Sequence, residues 1–221
     1  HALGLAIANV MPPDEAAIAE LLRAESIEGD ARLRITLTAG PPARLWMSAS
    51  PLSHAPGPDV ATARIGDAPW SIAFDEPLHR HKTLNYWSRR RMFEDARGRG
   101  LDECLVQTLD GRVWEGTRMN LFVARDGALR TPGLEGPVLP GVFRSLVIER
   151  AAALGIRVRE QDLTTADLDE ADEVLLTNSV RGIVAARWVR GRDLLAPGPI
   201  ARLLWIHLKP WLCQSNGDLS P

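Results

Sequence analysis

Two lysines stand out in a chain whose other basic residues are all arginine. The 221 residues include 26 basic side chains, and all except Lys82 and Lys209 are arginines. An arginine stays protonated at any working pH, whereas a lysine amine can lose its proton and attack a carbonyl to form an imine. Lys209 lies near the C-terminus, where a solvated charge is the expected role. Lys82, in His-Lys-Thr-Leu-Asn-Tyr, is therefore the candidate for covalent chemistry.

Three further motifs follow Lys82 and could hold a charged organic cofactor. Glu115 ends a predicted strand in Gly-Arg-Val-Trp-Glu-Gly-Thr-Arg-Met-Asn-Leu-Phe. Gly141 and Val142 open a predicted helix in Leu-Pro-Gly-Val-Phe-Arg, where backbone N–H groups can bind an anion. Thr-Asn-Ser at 177–179 ends another strand with two hydroxyls and an amide. An imine-forming lysine, an acid facing a ring nitrogen and a phosphate cradle are what pyridoxal phosphate (PLP) requires of a protein.

The order and spacing of these motifs resemble those of the class IV aminotransferases, the PLP enzymes of fold type IV. The shared strings, over residues 30–190, are Lys-x-Leu-Asn, Asp-Glu-Cys-Leu, Gly-Arg-Val-x-Glu-Gly-x-x-x-Asn-Leu-Phe, Leu-Pro-Gly-Val-x-Arg and Ala-Asp-Glu-Val-x-x-Thr-Asn-Ser. The resemblance implies an α+β, two-domain fold with an N-terminal α/β sandwich and a C-terminal pseudo-barrel that binds PLP. It also implies a homodimer.

The resemblance implies roles for residues around the cofactor ring and the substrate. Lys82 would carry PLP and move the substrate proton, Tyr86 would face the ring hydroxyl, and Glu115 would pair with the pyridine nitrogen. Arg34 resembles an arginine that receives a substrate carboxylate in some aminotransferases, although an outward-facing strand charge is an open alternative. Arg118 lies near Glu115 in sequence and is a candidate for either an active-site cation or a surface charge.

The resemblance also implies a phosphate site made of two turns. The amide of Val142 and the hydroxyl of Ser179 would hold the phosphate, and Gly141 and Asn178 would contribute closely approaching backbone.

Two reactions fit these motifs. The segment 177–183 looks more like that of 4-amino-4-deoxychorismate lyase, which forms 4-aminobenzoate and pyruvate, whereas Tyr86 occupies a position where such lyases often have arginine. The lyase is the preferred interpretation. An amino acid aminotransferase of the branched-chain or D-amino acid type is the alternative, and a non-catalytic or truncated PLP-fold protein is a third possibility.

The composition argues against other classes of protein. Hydrophobic residues make up 45% and charged residues 24%, with a net charge of −2. No basic stripe is present to bind nucleic acid, and no apolar run reaches the ~20 residues that span a bilayer. The two cysteines lack metal-ligand spacing, so no metal site is predicted. We expect a cytoplasmic enzyme that acts on a small-molecule amine.

The pattern of elements predicts where the domains meet. We assign residues 1–48 to the remainder of the N-terminal domain, 49–59 to a Pro- and Ser-rich linker, and 60–221 to the PLP-binding domain. The strand and phosphate-binding arginine that open family members have no match here, so we expect the chain to begin inside the N-terminal domain. Within a predicted helix over 85–97, Arg89-Arg90-Arg91 is expected to form a solvated face, and His79 and His81 to be solvated or to support the site indirectly.

Overall fold

The computed structural model describes residues 3–5, 10–40, 42–52 and 59–212. It divides the chain into two compact units, residues 1–55 and 56–221. The division falls inside the segment 49–59 that we predicted as the linker, and residues 53–58 of that segment lie outside the described residues.

The first unit consists of a helix and a hairpin. Helix α1 (Glu15–Ala24) begins at Asp14, whose carboxylate accepts a hydrogen bond from the Ala17 N–H at 2.8 Å. Strands β1 (Ala31–Thr38) and β2 (Arg44–Pro51) pair antiparallel. Strand β2 continues through Pro51, so residues 49–51 belong to the hairpin and not to a linker.

The second unit contains a large sheet and the helices that pack on it. The helices of its described part are α2 (Trp87–Gly98), α3 (Val142–Ala153), α4 (Thr165–Asp169) and α5 (Pro199–Leu208), with short 3-10 helices at Pro77–Arg80 and Lys209–Trp211. The strands are β3 (Ala61–Asp67), β4 (Glu103–Gln107), β5 (Arg112–Gly116), β6 (Asn120–Arg125), β7 (Ala128–Thr131), β8 (Val158–Glu160), β9 (Leu163–Thr164), β10 (Glu173–Asn178), β11 (Gly182–Val189) and β12 (Arg192–Asp193).

Six of these strands close into a ring. The order is β6-β10-β11-β3-β4-β5, and β5 then pairs with β6 through Glu115 and Asn120. Strand β3 pairs parallel with both β11 and β4, while the other pairings of the ring are antiparallel. The seam of this pseudo-barrel therefore lies at Glu115, the acid that the motifs single out.

Alternating side chains build a core inside the ring and another outside it. Along β6, Leu121 and Val123 point into a cluster to which all six ring strands contribute. Phe122 and Ala124 point outward and pack with side chains of α3 and α5. A smaller cluster joins α2 to β4 through residues such as Met92 and Cys104. Because both faces of the sheet are covered, its strands read as nearly continuous apolar runs.

The predicted α+β pseudo-barrel is confirmed in the second unit. The predicted helix over 85–97 is present but begins at Trp87, and the short strands β7, β9 and β12 were not predicted. Among the described residues, no helix has the length and apolar character needed to cross a membrane.

Candidate active site

Glu115 is the penultimate residue of β5 and is buried, only 4% exposed. Its Oε2 accepts hydrogen bonds from Asn120 Nδ2 at 3.1 Å and from the Leu139 N–H at 3.2 Å. Its Oε1 forms an ion pair with Arg89 Nη2 at 2.9 Å. Burial raises the pKa of Glu115 to about 7, against the lowering effects of the Arg89 charge and the Leu139 N–H.

Asn120 connects the barrel seam to the segment before α3. Its Nδ2 donates to both Glu115 and the Leu139 carbonyl, at 3.1 and 2.8 Å. Gly141 lies so close that a Cβ atom there would stand 2.0 Å from Asn120 Oδ1. A side chain at position 141 would therefore clash with Asn120. Glycine is required there for space and not for its backbone conformation, because the φ of Gly141, −73°, is open to any residue.

The N-terminus of α3 begins at Gly141, beside this cluster. The N–H groups of its first turn have no acceptor within the helix, and no side chain caps them. Val142, its first residue, is exposed. Such a helix end can bind an anion. Leu139, which precedes the helix, donates its N–H to the Glu115 carboxylate.

Tyr86 precedes α2 and is half-buried. Burial and, secondly, the negative charge of Glu115 raise the pKa of the Tyr86 hydroxyl. The structure therefore brings this predicted site residue within electrostatic reach of the predicted acid.

The prediction of a solvated face at Arg89-Arg90-Arg91 is wrong for Arg89. Arg90 and Arg91 are exposed and pair with Glu94, both at 2.9 Å. Arg89 is 5% exposed, and besides its ion pair with Glu115 its Nη1 donates to the Gly116 carbonyl at 3.1 Å. Helical spacing could have revealed the burial of Arg89, because Arg89, Met92 and Ala96 are three and four residues apart on the buried side of α2.

Lys82 lies in the irregular segment before α2, four residues ahead of Tyr86, and it is exposed. Within the described part of the chain, its amine makes no hydrogen bond or ion pair. The structure thus leaves this amine accessible for reaction but does not connect it directly to Glu115. His79, just upstream, is half-buried, and burial and then the Arg89 charge lower its pKa.

Asn178 and Ser179 form the turn between β10 and β11. Asn178 Oδ1 accepts the N–H groups of Val180 and Arg181 at 3.0 and 2.8 Å, so this side chain builds the turn. Its Nδ2 donates to the Arg118 carbonyl at 3.4 Å, which ties the turn to the loop after Glu115. Ser179 is exposed.

Arg118 lies in the loop between β5 and β6. Its guanidinium stacks 3.6 Å from the centroid of the Phe93 ring, and its Nε is 3.9 Å from Glu103 Oε2. Glu103 is buried, and burial raises its pKa against the hydrogen bond from the Thr117 hydroxyl at 2.6 Å. Glu103 and Thr117 are further buried polar residues that the motif analysis did not single out.

Arg34 lies in the first unit, on β1 opposite Ser48, with an exposed side chain. No cluster of His, Cys, Asp or Glu that could hold a metal ion is found in the described ranges.

The residues of the second unit fit PLP. The cofactor needs an acid facing a ring nitrogen, an uncapped helix end for a phosphate and an accessible lysine. Glu115 is a buried acid, α3 has an uncapped N-terminus at Gly141, and Lys82 is exposed, so one group of each kind is present. A pseudo-barrel with this set of groups defines a PLP enzyme of fold type IV.

The chain belongs to the class IV aminotransferases: the family model described as Amino-transferase class IV matches residues 6–189. Enzymes of this family depend on PLP, which confirms the cofactor predicted from the motifs.

Similar proteins include branched-chain-amino-acid aminotransferases. That of Escherichia coli K12 is 38% identical over 107 residues, which cover 48% of this chain and 35% of the relative. The matched segment therefore spans about a third of that relative's length. Its crystal structure superposes with a TM-score of 0.81 and 25% identity, covering 95% of this chain and 75% of that one. The branched-chain aminotransferase of Thermoproteus uzoniensis, solved with norvaline, gives a TM-score of 0.80 at 27% identity, covering 89% and 69%.

A candidate 4-amino-4-deoxychorismate lyase from Legionella pneumophila superposes with a TM-score of 0.79 at 22% identity, covering 88% of this chain and 74% of that one. At that identity the likeness shows the fold alone. The comparisons thus favour the aminotransferase alternative over the lyase that the sequence motifs led us to prefer.

Proposed function

We propose that this chain is a PLP-dependent aminotransferase of amino acids, of the branched-chain type. The buried Glu115 carboxylate at the barrel seam carries the proposal, because a negative charge there matches a protonated ring nitrogen. The 38% identity to the Escherichia coli enzyme supports the substrate class.

PLP, when bound, supplies an electron sink that lets a proton leave the carbon next to the substrate amine. Lys82 would hold the cofactor covalently and, once released, would take and return that proton as general base and acid. Glu115 would orient the ring through its nitrogen. Tyr86, within electrostatic reach of Glu115, would face the ring hydroxyl.

The phosphate would be held between two turns. Val142 at the α3 terminus would donate its backbone N–H, and Ser179 would donate its hydroxyl. Gly141 would allow close approach, and Asn178 would hold the Ser179 turn in shape through its bonds to Val180 and Arg181.

The substrate carboxylate needs a cation. Arg118 is one candidate, because stacking on Phe93 holds its guanidinium while about half of the side chain stays exposed. Arg34 is the other, and substituting each arginine separately by Gln would show which one raises the KM for the amino acid.

A homodimer is part of the proposal. Trp87 and Leu84 are 67% and 62% exposed, and both lie within five residues of Lys82. Exposed aromatic and aliphatic side chains of this kind are typical of the buried centre of an interface.

The lyase remains a second candidate because of the segment 177–183, which resembles that branch. One panel separates the two reactions: the PLP-loaded protein with L-leucine, L-isoleucine or L-valine plus 2-oxoglutarate, with D-alanine plus 2-oxoglutarate, and with 4-amino-4-deoxychorismate. Glutamate formed from the branched L-amino acids supports the proposal, and pyruvate formed from aminodeoxychorismate alone would replace it with the lyase. Lys82→Ala is the matched control and should be inactive with every substrate. No turnover of any substrate by PLP-loaded protein would contradict both functions.

A further inference from the structure

Arg89 turns inward from a run of three arginines and holds the end of β5 at two points. Its Nη2 contacts Glu115 Oε1 at 2.9 Å, and its Nη1 donates to the Gly116 carbonyl at 3.1 Å. Two donors of one planar guanidinium thus hold adjacent residues, which fixes the carboxylate of Glu115 in orientation as well as in place.

The hydrogen bonds of Glu115 leave one acceptor position open. An ionised carboxylate has about four lone-pair sites on its two oxygens. Among the described residues, Oε2 accepts from Asn120 and Leu139, which fills both of its sites. Oε1 accepts from Arg89 alone. A further donor would therefore bind Oε1, the oxygen that Arg89 already contacts.

Among the described residues, Arg89 is the cation that forms an ion pair with this carboxylate. Burial opposes ionisation of Glu115, and so does the negative charge of Glu103 on β4, whereas Arg89 favours it. Tyr86, before α2, and Arg118, in the loop after β5, are the other groups whose charges act here, since Glu115 raises and Arg118 lowers the pKa of Tyr86, and the Arg89 charge lowers the pKa of His79. Asn120 on β6 and the Leu139 N–H are neutral donors.

We infer that Arg89 is a positioning residue for the cofactor. It keeps Glu115 ionised, and the second acceptor site of Oε1 then accepts the ring N–H of PLP. Oε1 is thus bonded to both the Arg89 guanidinium and the protonated ring. The inference rests on the proposed function, since it requires that PLP binds with its ring nitrogen at Glu115. Arg89 contacts Glu115 Oε1 directly, and a positive charge at 2.9 Å stabilises the ionised carboxylate over the protonated carboxyl. Its charge therefore favours the arrangement in which the shared proton is on the ring and not on the carboxyl.

The test follows the protonation of the ring directly. PLP labelled with ¹⁵N at the ring nitrogen is bound to the full chain, and the nitrogen chemical shift, which changes strongly on protonation, is recorded at pH 7.5 together with the PLP dissociation constant. The variants are Arg89→Gln, which keeps amide donors but no charge, and Arg89→Lys, which keeps the charge. The matched control is Arg90→Gln on the exposed side of the same helix.

The unaltered chain, Arg90→Gln and Arg89→Lys should show a protonated ring nitrogen. Arg89→Gln should shift the signal towards that of neutral pyridine and weaken PLP binding by about tenfold or more, since one pKa unit corresponds to a factor of ten. A purely structural role would weaken binding in both Arg89 variants without separating their chemical shifts.

Each result is decisive. A protonated nitrogen in folded Arg89→Gln, with unchanged affinity, would overturn the inference while leaving the proposed function intact. If Arg89→Gln does not fold, Arg89→Lys decides, because a neutral ring nitrogen in that variant would show that the charge at position 89 does not set ring protonation. Failure of the unaltered chain to bind PLP would instead refute the proposed function, and the inference with it.

Discussion

Replacing Glu115 by Gln should change how the stability of the PLP-free protein depends on pH. Burial raises the pKa of this carboxyl to about 7, from an ordinary value of 4.5. A raised pKa in the folded state means that, between these two values, the unfolded chain has lost its proton while the folded chain still holds it. The free energy of unfolding therefore falls as the pH rises across this window.

The size of the effect follows from the two pKa values. The difference, 7 − 4.5, is about 2.5 units, and each unit corresponds to 1.36 kcal/mol, which gives about 3 kcal/mol. Most of the loss should have occurred by pH 7, and the curve should level off about one pH unit above the folded-state pKa. Glu115→Gln cannot lose a proton, so this contribution is absent from the variant.

The variant also carries a cost that does not depend on pH. The new amide NH₂ would face either Arg89 or the two donors Asn120 Nδ2 and Leu139 N–H. A buried donor that faces other donors and finds no acceptor lowers the free energy of unfolding by about 1–3 kcal/mol. We expect the variant to be less stable than the unaltered chain at pH 4.5, and this gap to shrink by about 3 kcal/mol by pH 7.5.

Urea unfolding followed by tryptophan fluorescence, at steps between pH 4.5 and 7.5, measures both quantities. Glu103 and His79 also have shifted pKa values, but they are present in both proteins, so their contributions cancel in the difference except for the smaller effect of the Glu103–Glu115 repulsion. Glu94→Gln is the control: the hydrogen bond from Arg90 lowers the pKa of this exposed carboxyl, so its effect should be small and opposite in sign. Parallel pH curves for the unaltered chain and Glu115→Gln would show that the Glu115 pKa is not raised, and the reasoning would fail.

Four further outcomes are expected. Borohydride reduction of the PLP-loaded protein should fix the cofactor on Lys82, and peptide mapping that found the label on Lys209 would refute the assignment. Gly141→Ala should displace Asn120, weaken PLP binding and destabilise the fold by about 1–3 kcal/mol, because the added methyl group meets Asn120 Oδ1; unchanged PLP affinity in a titration would contradict this. Tyr86→Phe should retain PLP and lower kcat by about tenfold or more, since its hydroxyl is placed to face the ring, and unaltered steady-state kinetics would remove Tyr86 from the site. Light scattering at micromolar concentration should give the mass of a dimer, and a monomer would contradict the proposed assembly.

The sequence alone determined the family and the cofactor, and it singled out the candidate chemical groups, whose roles stay predictions. Lys82, Glu115 and Gly141 could be chosen because imine formation, ring protonation and close approach to an anion each demand a particular residue type, and because the motifs keep a fixed order. The helices and most strands could also be predicted, since their apolar residues repeat at helical or strand spacing.

Only the tertiary structure decided how those groups are held. The short loop 117–119 brings Asn120 back beside Glu115, but the other donor to Glu115 Oε2, the Leu139 N–H, comes from a segment 24 positions along the chain that no local pattern connects to β5. Arg89 looked like its neighbours Arg90 and Arg91 because a charge run is usually solvated. Its burial depends on a carboxylate 26 positions along the chain that compensates its charge, and that compensation exists only once the chain has folded.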